Sequence, residues 1–164
     1  ASSAASDVYK RQIKILNVDE TGNVTFMVYG YMNRGSHEGT VGILVYEYNG
    51  MLNTIEEQIF IPCNKAYAVL KADVEQLSFV NKSGILYLYL DGSILAINLP
   101  EGSYTEIATQ VQEGSFQVSQ KEEMLVWQNS ADAYDCTKLI LMNLNTGNTR
   151  EITATGNNLS LIHI

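Results

Sequence analysis

Ile94-Leu-Ala-Ile-Asn-Leu-Pro-Glu-Gly-Ser-Tyr-Thr-Glu-Ile107 returns, 45 residues on and without a gap, as Leu139-Ile-Leu-Met-Asn-Leu-Asn-Thr-Gly-Asn-Thr-Arg-Glu-Ile152. Asn98 meets Asn143, Leu99 meets Leu144, Gly102 meets Gly147 and Ile107 meets Ile152. Each copy is an alternating apolar stretch, a Gly-containing turn and a second stretch. Alternation with period two is the mark of a strand whose faces differ. A hairpin that recurs every ~40–50 residues has the spacing of a β-propeller blade.

The rest of the chain falls into place around these hairpins. Upstream of the first copy, 74–80 and Ile85–Leu90 read as strands, joined across 81–84, and Asp91-Gly92 is the strongest tight-turn dipeptide in the chain. Pro100-Glu-Gly102 suits a type I turn closed by a left-handed glycine. Upstream of the second copy, Ser115–Ser119 and Met124–Gln128 repeat the pattern, with a loop at 129–137 six residues longer than its counterpart 91–93. The strands stay in phase on both sides of that change. Near the N-terminus, Ile13–Asp19, Val24–Met32, Val41–Tyr48 and Thr54–Ile61 give four more strands, with Asn49-Gly50 as a hairpin signal. Segment 64–73, with Tyr67, Leu70 and Lys71 at helical spacing, is expected to be a short helical or irregular connection. The expected fold is all-β: about three tandem four-stranded antiparallel blades of an incomplete β-propeller, in units of roughly 13–62, 74–112 and 114–155. An open β-solenoid, a stacked meander or a β-sandwich are the alternatives.

Both ends resemble translated adapter DNA from a transposase-based sequencing library. Ser2-Ser-Ala-Ala-Ser-Asp-Val-Tyr-Lys-Arg-Gln12 reads as one adapter strand, and Leu159-Ser-Leu-Ile-His-Ile164 as the reverse complement of its inner end. The resemblance implies that 1–12 and 159–164 are not native. The remainder, 13–158, is then a fragment of a metagenomic kind, and His37 its one native histidine.

Composition narrows the partners. The chain carries 10 Lys+Arg against 18 Asp+Glu, a net charge of −8, and no basic cluster. Nucleic acid and anionic membrane surfaces both need such clusters, so neither is an expected partner. Any membrane link would run through an anchor outside the fragment. No apolar run approaches the ~20 residues of a membrane span. The 46% apolar content is enough for a packed core. Cys63 and Cys136 lie far apart, outside any C-x-x-C pair, and read as two separate thiols or as one disulfide.

The hairpins around Asn98-Leu99 and Asn143-Leu144, of the form strand–Asn-Leu–x-x-Gly–strand, resemble the WD40-like and TolB-like propeller repeats of bacterial envelope proteins. The stretch Val24–Gly50, with its core Tyr29-Gly-Tyr-Met-Asn-Arg-Gly-Ser-His-Glu-Gly39, resembles uncharacterised large proteins of gut Firmicutes. These resemblances imply a propeller in an extracytoplasmic or membrane-anchored setting. They imply nothing specific about activity, because propellers host many functions. The Gly-His and Trp-Asp dipeptides of a WD-repeat protein are absent; Trp127 is followed by Gln128.

One loop concentrates chemistry. Asn33-Arg-Gly-Ser-His-Glu-Gly39 joins two strongly apolar strands and holds an Arg, a His and a carboxylate. Binding residues tend to sit on loops carried by a rigid sheet, so Asn33, Arg34, His37 and Glu38 are the candidate ligand- or partner-binding residues. The plainer alternative is a solvated connection with an Arg34–Glu38 surface pair. His37 lacks the second histidine of an H-E-x-x-H zinc helix, and no G-x-S-x-G elbow surrounds a serine. No catalytic residue, metal ligand or cofactor is assigned. The adjacent pairs Glu56-Glu57 and Glu122-Glu123 read as solvated turn and edge charge, since strand neighbours point to opposite faces. Asp19–Asn23 faintly resembles a calcium loop but fits turn chemistry better. Tyr46, Tyr48, Tyr87, Tyr89 and Trp127 could line a groove, or fill the space between blades. The expected function is a non-enzymatic binding or scaffold module of a larger protein, with a protein, peptide or glycan as partner. The alternative is the propeller of a hydrolase or peptidase whose catalytic domain lies outside the fragment.

Overall fold

The computed structural model describes residues 12–63, 77–80, 83–119, 121–130 and 138–153. All regular structure in them is β. Twelve strands form three four-stranded antiparallel sheets, each a meander in chain order. The first sheet is β1 (Gln12–Val18), β2 (Val24–Tyr31), β3 (Val41–Asn49) and β4 (Thr54–Pro62). The second is β5 (Leu77–Val80), β6 (Ile85–Leu90), β7 (Ser93–Asn98) and β8 (Ser103–Ala108). The third is β9 (Gln117–Val118), β10 (Met124–Trp127), β11 (Lys138–Asn143) and β12 (Thr149–Thr153). The expected connection at 64–73, and Cys136, lie outside the described residues. Cys63 is a free, half-buried thiol.

The sheets stack through two apolar layers, and the second sheet lies between the others. Met27, Ile43, Val45 and Ile61 of the first sheet meet Leu86, Leu88, Leu95 and Ile97 of the second. The next residues along β6 and β7, Tyr87, Tyr89 and Ile94, point the other way and meet Leu125 and Trp127 of the third. Both faces of β6 are therefore buried, which is why Ile85–Leu90 is apolar throughout rather than alternating. Each large side chain removed from water in these layers contributes ~1.5–3 kcal/mol. Among the described residues, Trp127 Nε1 is buried without a hydrogen-bond acceptor.

The turns follow their residue chemistry. Asp91 (φ 53°) and Gly92 (φ 80°) both take left-handed backbone, and Leu90 pairs with Ser93 across them, which makes a two-residue hairpin with the twist strands favour. Asn49-Gly50 is different. The strands close at Asn49 and Thr54, and the left-handed residue is Asn53 (φ 53°). Gly50 serves close approach instead: a Cβ there would lie 2.7 Å from Gly22 O, and the Gly50 amide donates to Asn23 Oδ1 at 3.0 Å. β8 runs to Ala108, and beyond it Val111 forms an isolated bridge with Asn129. The expected strand Ser115–Ser119 is shorter in the structure. β9 keeps only Gln117–Val118, because Ser115 and Ser119 turn their hydroxyls to the main chain, at Gln112 O and at the Glu123 and Met124 amides.

The internal repeat extends to the first sheet. Asn143 Oδ1 accepts the amides of Asn145 and Thr146, Asn98 Oδ1 that of Glu101, and Asn49 Oδ1 those of Met51 and Leu52. Four residues after each Asn stands a left-handed residue: Asn53, Gly102 (φ 64°) and Gly147 (φ 73°). A shared bulge follows the same alignment, between Val45 and Tyr46 against β4 and between Ile94 and Leu95 against β8.

Candidate functional site

The loop between β2 and β3 is built from its two ends. Met32, almost fully buried, anchors it: its amide donates to Thr40 O at 2.7 Å and its carbonyl accepts from the Gly39 amide at 2.8 Å. Gly35 and Gly39 take φ of 88° and 86°, so each supplies a backbone turn that a side chain would strain. Inside this ring the Thr40 hydroxyl donates to His37 O at 2.6 Å.

His37 does not project into solvent with its neighbours. Its ring lies flat on Phe60 of β4, with centroids 3.9 Å apart and planes 20° from parallel. Its Nε2 is 2.7 Å from Glu57 Oε1. An ionised carboxylate only accepts, so Nε2 carries the hydrogen. Gly42 makes the arrangement possible. A Cβ at that position would meet the Phe60 ring at 2.6 Å and Ile61 O at 2.5 Å. The loop is thus latched onto the outer face of the first sheet, and Asn33, Arg34, Ser36 and Glu38 are left exposed around the latch.

This distribution separates the four candidates. Arg34 and Glu38 share one exposed loop, and among the described residues no ion pair joins them; the carboxylate this loop meets is that of Glu57, twenty residues on from His37, whose ring contacts it. Glu57 was legible only as half of an adjacent carboxylate pair. The register puts it opposite Tyr46, while Glu56 lies opposite Glu47 on the other face. No three metal-ligating side chains converge among the described residues.

Elsewhere the structure revises one expectation and refines two. Glu122 is not a solvated turn charge. Its Oε1 accepts from the Ser83 hydroxyl at 2.8 Å and the Tyr87 hydroxyl at 3.0 Å, tying the β9–β10 turn to the second sheet. Burial, with help from Glu122, drives the Tyr87 phenol well above its ordinary range. Tyr87, Tyr89 and Trp127 fill the layer between sheets, whereas Tyr46 stacks on Phe26 on the outer face of the first sheet, centroids 5.5 Å apart. Asp19 is occupied by turn donors. Oδ1 accepts from the Thr21 amide and hydroxyl and the Asn23 amide, and Oδ2 from the Asn23 side chain, leaving the carboxylate fully engaged. The Thr21 hydroxyl first, and the Asn23 amide next, hold its pKa below the ordinary value.

No protein-family model matches the chain, and a search of curated proteins returns no match.

Proposed function

We propose that the chain is a run of three consecutive blades of a β-propeller and works as a non-enzymatic binding or scaffold module of a larger, extracytoplasmic protein. The observation that carries the reading is the second sheet: a four-stranded meander buried on both faces between two others that share its hairpin geometry. A blade is a unit that cannot hide both faces alone and gains its stability by stacking on neighbours. The contact surface in this reading is the latched loop. Its backbone is fixed by Met32, Gly39 and the His37–Phe60 stack, and it holds the Arg34 guanidinium and Glu38 carboxylate in solvent. An ordered loop with one exposed charge of each sign suits a polar partner, peptide or glycan, because little ordering entropy is lost on binding.

The test is a panel of immobilised peptides and envelope glycans probed with the intact chain and with the double variant Arg34→Ala/Glu38→Ala. The variant should melt like the parent, because both side chains are exposed. It should lose binding at least tenfold on whichever ligand the parent retains. Unchanged binding by a folded variant would remove the loop from the site.

A further inference from the structure

The residue after each capping asparagine gives its amide to the turn that precedes it in the same sheet. Leu99 donates to Gly84 O at 3.2 Å, and Leu144 to Glu123 O at 2.9 Å. In both the acceptor is a main-chain carbonyl. Gly50 donates to Asn23 Oδ1 at 3.0 Å, so in the first sheet a side chain takes that place. This side chain is itself clamped, because Asn23 Nδ2 donates to Asp19 Oδ2 and to the Thr21 hydroxyl, both at 3.0 Å. A carboxylate only accepts, so the atom facing Asp19 must be the Nδ2, and that turns Oδ1 toward Gly50.

The first sheet also differs in what the held amide can do. Asn49-Gly50 is the one Asn-Gly dipeptide in the sequence. An amide nitrogen that follows asparagine can attack the asparagine's own carboxamide, and glycine hinders the approach least, having no side chain and the freest backbone. The lone pair of Gly50 N then bonds to Asn49 Cγ, the Cγ–Nδ2 bond breaks, and Nδ2 leaves as ammonia with the proton from Gly50. Water opens the cyclic imide at one carbonyl or the other. The products are aspartate and isoaspartate, the second with the main chain routed through the side chain. Gly50 is exposed and Asn49 half-buried, so water reaches the site.

We infer that Asn49 is a deamidation site held shut by Asn23. Both reacting groups are engaged in the folded turn, but to opposite effect. Asn49 Oδ1 accepts from the Met51 and Leu52 amides at 3.1 and 3.0 Å. Donors on that oxygen draw charge from Cγ and stabilise the oxyanion that attack creates, so by themselves they favour the reaction. The hold lies on the nucleophile. Its proton rests on Asn23 Oδ1, which fixes the plane of the Gly50 peptide against the β1–β2 turn. The imide has no N–H at Gly50, so that bond must break as the ring forms. Asn49 therefore keeps its carboxamide while the two turns stay docked, and loses it where they part.

The experiment incubates the intact chain at fixed pH and temperature and follows, by peptide mass spectrometry, the conversion of Asn49 to its aspartyl and isoaspartyl products. The folded parent is compared with the parent unfolded in urea, and with folded Asn23→Ala and Asn143→Ala. The folded parent should convert at least tenfold more slowly than the unfolded one. Asn23→Ala, folded, should close most of that gap. Asn143→Ala weakens the third sheet and leaves the Gly50 bond intact, so it should keep the parent's rate. If Asn23→Ala melts early, Asn23→Ser takes its place, since serine suits a turn and is too short to reach Gly50. Equal rates in the folded and unfolded parent, a folded Asn23 variant no faster than the parent, or an Asn143→Ala rate that rises as far as that of the Asn23 variant would each overturn the proposal. The last result would mean that the rate follows global stability and not the bond to Asn23.

Discussion

Replacing the three hairpin asparagines by alanine should cost stability in proportion to the turn amides each one holds. Asn143 and Asn49 each accept two, at 2.9 and 3.0 Å and at 3.1 and 3.0 Å, while Asn98 accepts one, at 3.2 Å. A typical intramolecular hydrogen bond contributes ~0.5–1.5 kcal/mol net, and these are exposed, so the lower half of that range applies. Asn143→Ala and Asn49→Ala should therefore each lose about 1–2 kcal/mol, and Asn98→Ala about half as much. Pro100 widens the gap. Its ring presets the turn backbone, so that hairpin leans less on its asparagine. The assay is urea unfolding at fixed protein concentration, read by tryptophan fluorescence and by circular dichroism. Asn→Asp controls keep the acceptor and should recover most of the loss. If Asn98→Ala were the most damaging of the three, or if all three were silent, the shared-turn argument would fail.

Three further outcomes follow from the geometry. Gly42→Ala should destabilise by about 1–3 kcal/mol, because the new methyl must displace both the Phe60 ring and strand backbone, and the histidine ring resonances should lose their aromatic upfield shift. Tyr87 has a folded-state pKa raised above its unfolded value, so its stabilising effect is complete below the ordinary phenol range, ~10, and declines as pH rises through the higher folded value; Tyr87→Phe should flatten the alkaline arm of a melting-temperature profile. Asp19 is the opposite case. Its lowered pKa gives a stabilising effect present above the ordinary carboxylate range, ~3.9, and lost as pH falls through the lower folded value, so carbon-detected titration should show it protonating late and Thr21→Val should bring it back toward the ordinary value.

Much of the fold was legible because the strands obey local rules. Asp91-Gly92, Pro100–Gly102 and the 45-residue recurrence are each a few residues long and need no knowledge of what lies across the sheet. The third copy of the hairpin was hidden for a local reason too. Asn49 keeps the capping asparagine, but Gly50 replaces the leucine, Asn53 replaces the glycine, and the spacing to Asn98 is 49 rather than 45. Asparagine tolerates left-handed backbone well enough to stand in for glycine, so the backbone repeats where the letters do not. The site was less legible. The polar loop could be found, but whether His37 faced solvent depended on Phe60 and Glu57, and their proximity is set by β3–β4 register. Glu122 was misjudged similarly. An acidic residue in a turn is usually solvated, and nothing near it in the chain announces Ser83 and Tyr87.

Glu122 carries a wider consequence. The apolar attraction itself has no direction, and the angle between sheets is set by how their side chains interdigitate and by any polar contact across the layer. A carboxylate oxygen that meets two hydroxyls, at 2.8 and 3.0 Å, adds a directional contact to that packing. It acts as a dowel between the second and third sheets, and so restrains the angle at which they cross. In a stack, each such angle is inherited by every sheet that follows. One polar pin at the edge of a layer thus adds orientation to an attraction that by itself has none.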